Sequence, residues 1–301
     1  MVFALGEVGY DFGTEARLEY FGQQLGGRAG ASDPLRMVSY LRAEASTEKL
    51  EEGRLDEGLP DRGRQEDAAA LLWTLNIEAT PIYAIVPDDA FAVKAYGLLV
   101  SFLHDQCVDQ GHEGGDGTAA PSRSTGPRDS LYRVAVAGRL QGNATLFDGT
   151  VVPVLRPVTR GLFNWNLDAL LGAALVERRN HGGVAALEGF LRRIYFELHN
   201  LGQSSSDRAL NFAGTNVYNA GRIFLAAWRD GLTGLERFDV KRSRLCRPEA
   251  DCWDVEMTFF APENPYRRAR RVYRQTIDVS DVIPVAVGRP LSWPTNSAPP
   301  R

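Results

Sequence analysis

Cys252-Trp253-Asp254-Val255-Glu256-Met257-Thr258-Phe259-Phe260 alternates in a way that decides the fold class. Successive side chains of a strand point to opposite faces, so Trp253, Val255, Met257 and Phe259 share one apolar face and predict a half-buried strand over 252–260. Further strands are expected at roughly 234–245 and 269–279, with Pro262-Glu263-Asn264-Pro265 linking the second to the third. Ahead of this sheet lie three helical stretches, about 164–179, 184–201 and 206–230, the last two followed by Gly202 and Gly231 where a left-handed cap is wanted. Helices in one block and strands in the next, without strict βαβ alternation, predict an α+β fold. It comprises an N-terminal mixed α/β unit, a helical block and a C-terminal antiparallel sheet.

Residues 2–10 read as a strand, and Thr14-Glu15-Ala16-Arg17 opens a helix whose apolar positions are Leu18, Phe21 and Leu25. Ser32-Asp33-Pro34 caps a second helix. Ala68–Leu75 is expected to be helical, Ile82–Val86 a strand, and the stretch after Pro87-Asp88-Asp89 a helix running to about His104. Between Glu44 and Asp67 nine acids and four bases make a solvated connector. Residues 109–129, with five glycines and two prolines and no periodicity, predict a flexible boundary. The expected division is therefore 1–108, a linker at 109–129, and 130–301, the last opening with a hairpin or small meander around 131–155.

The chain has 301 residues and a net charge of −4, from 34 Lys and Arg against 38 Asp and Glu. That balance offers no global attraction for nucleic acid or anionic lipid, so neither is expected as a partner. Apolar runs such as Ala169–Val176 fall far short of the roughly 20 residues that cross a bilayer. The opening MVFALGEVGYDFG lacks the basic start and apolar core of a secretory signal, and three cysteines are too few for a disulfide scaffold. A cytoplasmic address is expected.

Phosphate-loop and dinucleotide glycine patterns do not occur, and Asp11-Phe12-Gly13 imitates a kinase magnesium motif without the other kinase strings. Cys246 and Cys252 could be ordinary thiols, two ligands of a structural zinc, or a redox pair, the spacing being looser than the usual metal gap. No cofactor is otherwise implied. Cys107 reads as core filler, and Phe190, Tyr195 and Phe196 as core aromatics. Arg268, Arg270 and Arg274 would share one strand side, where they could bind an acidic peptide or phosphate, or else pair with acids such as Asp254 and Glu256. Asn200, Asn211, Asn216 and Asn219 gather near a helix junction with Arg208 and Tyr218. Amides suit gripping a peptide backbone, or capping helices and satisfying buried carbonyls. No catalytic residue emerges.

Several strings carry a resemblance. They are Ala4-Leu5-Gly6 through Tyr10-Asp11-Phe12-Gly13-Thr14-Glu15-Ala16-Arg17, Leu72-Trp73-Thr74-Leu75-Asn76 with Thr80-Pro81-Ile82-Tyr83-Ala84-Ile85, and Arg160-Gly161 with Trp165. They continue with Asn200-Leu201-Gly202, Arg208-Ala209-Leu210-Asn211, Cys246-Arg247-Pro248, Asp251-Cys252-Trp253-Asp254-Val255 and Asp278-Val279-Ser280-Asp281-Val282. Together they resemble the non-protease region of PatA/PatG-type cyanobactin maturation proteases, over most of the chain. In that family a subtilisin-like domain ahead of this region cleaves, and in the PatG type cyclises, ribosomally made peptides. The nearest strings to its triad here are His181-Gly182-Gly183 and Gly214-Thr215-Asn216, which supply no nucleophile.

The resemblance implies a non-proteolytic accessory protein of a ribosomal-peptide modification pathway, holding a precursor peptide or a maturation enzyme. Strand addition at an edge of the tail sheet, with Arg268, Arg270, Arg274, Arg208 and Asn211 as contacts, is the expected binding mode. Two other readings stay open: a peptide-modifying enzyme with a metal at Cys246 and Cys252 or a site among Arg208, Asn211 and Tyr218, and a structural subunit of a separately encoded protease. A homodimer is a candidate assembly.

Overall fold

The computed structural model describes residues 1–43, 62–110, 132–166, 181–263 and 269–295. Most of the acidic connector, the glycine-rich boundary and most of the expected helix at 164–179 lie outside these residues; its first two positions instead end a strand at Trp165.

Compactness divides the chain into two interleaved units. One comprises residues 6–132 and 140–162, the other 1–5, 133–139 and 163–301. In chain order β1 (Val2–Asp11), α1 (Glu15–Leu25), α2 (Arg28–Ala31), α3 (Pro34–Arg42), α4 (Arg62–Ala70), β2 (Leu72–Ile77), β3 (Thr80–Ile85), α5 (Ala92–Asp109), β4 (Arg133–Thr145) and β5 (Val151–Trp165) come first. The five strands close into a barrel in the order β1-β2-β3-β5-β4. Pairing of β1 with β2 and of β2 with β3 is antiparallel, whereas β3 meets β5 in parallel through Ala84 with Val154 and Ile85 with Leu155.

Local chemistry sets the helix starts. The Thr14 side chain accepts from the Arg17 N–H at 3.4 Å, and Asp33 accepts from Leu35 N–H at 3.0 Å ahead of Pro34. The helical expectation for 68–75 is corrected: helix α4 ends at Ala70 and Leu72 begins a strand. Trp73 and Leu75 are completely buried at period two, and the Trp73 indole donates to Ala68 O at 2.8 Å. The β2–β3 turn is Glu78-Ala79, both at positive φ (48° and 63°), the backbone of a tight hairpin made without the usual Asn-Gly.

Within this first unit the Gln106 side chain on α5 satisfies both polar groups of Val8 on β1. Its Oε1 accepts from Val8 N–H at 3.0 Å and its Nε2 donates to Val8 O at 3.1 Å.

The second unit carries α6 (His181–Glu197), α7 (Ser205–Thr215), α8 (Val217–Arg229) and an antiparallel sheet β6 (Gly234–Arg242), β7 (Cys252–Phe260), β8 (Arg270–Asp278) and β9 (Val285–Thr295), in that spatial order. The predicted sheet is therefore present, with one more strand than expected. The expected helix at 206–230 is two helices, broken at Asn216, whose side chain accepts from Asn219 N–H at 3.2 Å. Val255, Met257 and Phe259 are fully buried, and Phe259 stacks on Phe190 of α6 at 5.8 Å between ring centroids. Phe190 and Tyr195 are core residues, but Phe196 is 66 % exposed, on the opposite side of its helix.

Gly202 sits at φ 63° with Phe3 O only 2.1 Å from where a Cβ would stand, and Phe3 N–H donates to Gly202 O at 2.9 Å. Gln106→Ala leaves two buried backbone groups without partners at about 1–3 kcal/mol each, so urea unfolding should show a loss of about 2–6 kcal/mol. Gly202→Ala should lower the unfolding midpoint as well, through strain at positive φ and collision with Phe3.

Candidate functional site

Four places hold the chemistry. The first is the arginine face of the tail sheet. Arg268 lies outside the described residues. Arg270 Nε is 2.6 Å from Glu236 Oε2, and Arg271 Nη1 is 3.0 Å from Asp230. Arg274 Nη1 is 3.7 Å from Asp254 Oδ2, with its guanidinium 5.6 Å from the centroid of the Trp293 ring. The described arginines of this strand are thus engaged with the chain's own acids. Beyond β8 lies β9, which pairs with β8 alone among the described residues. Two of its eleven residues, Pro290 and Pro294, have no N–H to offer an added strand, while Val285, Val287 and Leu291 are exposed.

The second place is a buried network in the same unit. Arg208, 3 % exposed, donates from Nη1 to Val279 O at 2.8 Å and from Nη2 to Asp281 O and, at 3.5 Å, to Val282 O. Burial lowers its pKa, an effect opposed by Asp251 and Asp281. Asn211, completely buried, donates to Phe3 O at 2.8 Å and shares two side-chain bonds with Asn200, whose Oδ1 also accepts from Gly202 N–H at 2.9 Å. Both residues grip backbone, as their chemistry suggested, and the backbone is their own. Tyr218 is 66 % exposed and bonded to Arg222 on its own helix.

The third place is the β6–β7 loop. Cys246 and Cys252 are joined as a disulfide, and a carboxylate oxygen of Asp278 completes a group whose three potential ligand atoms lie within 4.8 Å of one another. Asp278 is held below the usual carboxylate range by the Ser280 hydroxyl and amide, which donate to it at 2.6 and 2.9 Å. Next to Cys252, Asp251 accepts from Ser205 Oγ at 2.5 Å and from the Trp253 indole at 2.9 Å, and its N–H donates to Ser280 Oγ at 2.8 Å.

The fourth was not foreseen from sequence. In the barrel-strand unit an open cavity of about 420 Å³ is lined by residues 8–12 of β1 and its end, by Asn76, by Gln106 and Cys107 of α5, and by Phe147 at the β4–β5 turn. Tyr10 and Phe12 meet edge to face at 5.8 Å, and the Tyr10 hydroxyl donates to Ala31 O at 2.7 Å. Asp11 Oδ1 accepts from Gly13 N–H at 2.6 Å and from Phe147 N–H at 2.9 Å. Gly9 permits the close approach of Asn76, whose Nδ2 would stand 2.6 Å from a Cβ there. Asn76 Oδ1 is buried without a hydrogen-bond partner. Cys107 is a free, buried thiol whose pKa is raised by burial and by Asp33. The signal available in sequence was Asp11-Phe12-Gly13, which reads as a failed kinase motif until its neighbours in space are known.

A family model described as PatG Domain matches residues 1–142, and one described as PatG C-terminal matches residues 178–293. A solved structure of a PatG domain of unknown function is similar at 36 % identity and a TM-score of 0.73, over 97 % of this chain and 98 % of that one. The chain belongs to the PatG-domain family. No curated protein matches it.

Two measurements check the site chemistry. Under denaturing, non-reducing conditions thiol titration should count Cys107 alone; three free thiols with bound zinc in the native protein would favour the metal arrangement. Arg208→Met should cost about 2–4 kcal/mol in chemical unfolding, because it strands the carbonyls of residues 279–282.

Proposed function

We propose that this chain is a non-proteolytic accessory module of a ribosomal-peptide maturation pathway of the cyanobactin type, acting in the cytoplasm by binding a precursor peptide or its maturation enzyme. The observation that carries this is the fate of the protease-like string. Gly214-Thr215-Asn216 forms the junction of α7 and α8, where Thr215 is completely buried with its hydroxyl donating to Asn211 O at 2.7 Å, and Asn216 caps the next helix. Neither side chain is placed to attack a substrate, while family membership extends along the chain.

Recognition would use shape and hydrogen bonding more than charge. Arg270 and Arg274 are committed to Glu236 and Asp254, and the β9 prolines leave a poor template for strand addition. Arg208 and Asn211 then shape the fold around the binding surface and do not contact the peptide. Titration calorimetry with the precursor encoded beside this gene should give heat at low and at high salt, with a dissociation constant that changes little between them. Absence of heat in both, together with failure to retain the neighbouring maturation enzyme in a pull-down, would overturn the proposal.

A further inference from the structure

The cavity beside β1 has a composition that selects one kind of ligand. Among the described residues no Lys or Arg lines it; Arg17 donates from Nη1 to Phe12 O at 3.4 Å. The one carboxylate that lines it among the described residues, Asp11, has used Oδ1 on two backbone N–H groups, and a carboxylate offers about four acceptor positions in all. Three aromatic rings, Tyr10, Phe12 and Phe147, supply the walls, the last 44 % exposed at the rim. Acceptors and aromatic faces together attract a cation that carries its own N–H donors, and they repel an anion. The volume of about 420 Å³ falls within the roughly 300–1,000 Å³ of small-ligand sites.

We propose that this cavity binds a primary ammonium group on an apolar stem, with Asp11 as the counter-charge and acceptor, and Tyr10, Phe12 and Phe147 as the aromatic enclosure. A peptide supplies that group as its free α-amine or as a lysine side chain. Naming a peptide as the source rests on the accessory function proposed above; the ammonium selectivity does not. Asp11-Phe12-Gly13 thereby acquires a role unrelated to magnesium: Gly13 and Phe147 hold the carboxylate in place through their N–H groups.

The amide resonances of Gly13 and Phe147 report on the site directly. The full chain is titrated with leucyl-leucine amide, which has a free α-amine, with Nα-acetyl-lysine amide, which has only the side-chain amine, and with N-acetyl-leucyl-leucine amide, which has neither. Saturable shifts with one or both amines and none with the doubly blocked peptide are expected. Asp11→Asn, which keeps the acceptor toward Gly13 and Phe147, should weaken amine binding about tenfold, and Phe147→Ala at the exposed rim should weaken it severalfold with an unchanged melting temperature. Equal binding of the blocked peptide, or no binding of any probe, would overturn the assignment. Precursor binding without amine binding would defeat this inference and leave the accessory function standing; amine binding without precursor binding would do the reverse.

Discussion

The Arg208 guanidinium is the point on which the sheet-bearing unit turns. Three carbonyls from residues 279–282 converge on a group that is 3 % exposed, and they come from the segment that leads out of β8. A buried cation needs such acceptors, and a bend full of carbonyls needs such a donor, so each would be costly without the other. One turn further along the same helix, Asn211 performs the corresponding service for Phe3 and Asn200. Next to them Asp251 ties Ser205 at the start of the helix to Trp253 and Ser280. The strings at 200–202, 208–211, 251–255 and 278–282 are thus distant in sequence and joined in one hydrogen-bonded centre.

Much of the architecture was legible because its periodicities are strong. The alternation in 252–260, the Thr14 and Asp33 caps and the separation of helical from strand blocks all follow from local geometry. What stayed hidden had local signals that pointed elsewhere. Leu72–Ile77 follows an alanine-rich helix directly and turns at Glu78-Ala79, residues that seldom adopt positive φ. β9 contains Pro290 and Pro294, which argue against a strand unless it lies at an edge, and edge position is not visible before the sheet is assembled. The interleaving of the two compact units is also a property of assembly.

For the candidate sites the residue types were informative, and their partners were not. Arg208 and Asn211 have side chains able to hold peptide backbone, and they hold the chain's own. Arg270 and Arg274 bring charge to the sheet, which Glu236 and Asp254 offset. Sequence cannot say whether a polar side chain will meet its complement across the fold, and that distinction separates a structural network from a binding surface. The cavity beside β1 shows the converse: its members come from β1, β2, α5 and the β4–β5 turn, and no spacing along the chain joins them.

The prolines of β9 bear on the newly made chain. A newly made sheet with a bare margin can recruit identical neighbours, and the first such pairing templates the next. With two backbone donors deleted from its outermost strand, this one presents a broken ladder. That margin is therefore ill suited to recruiting a second copy, even with Val285, Val287 and Leu291 exposed along it.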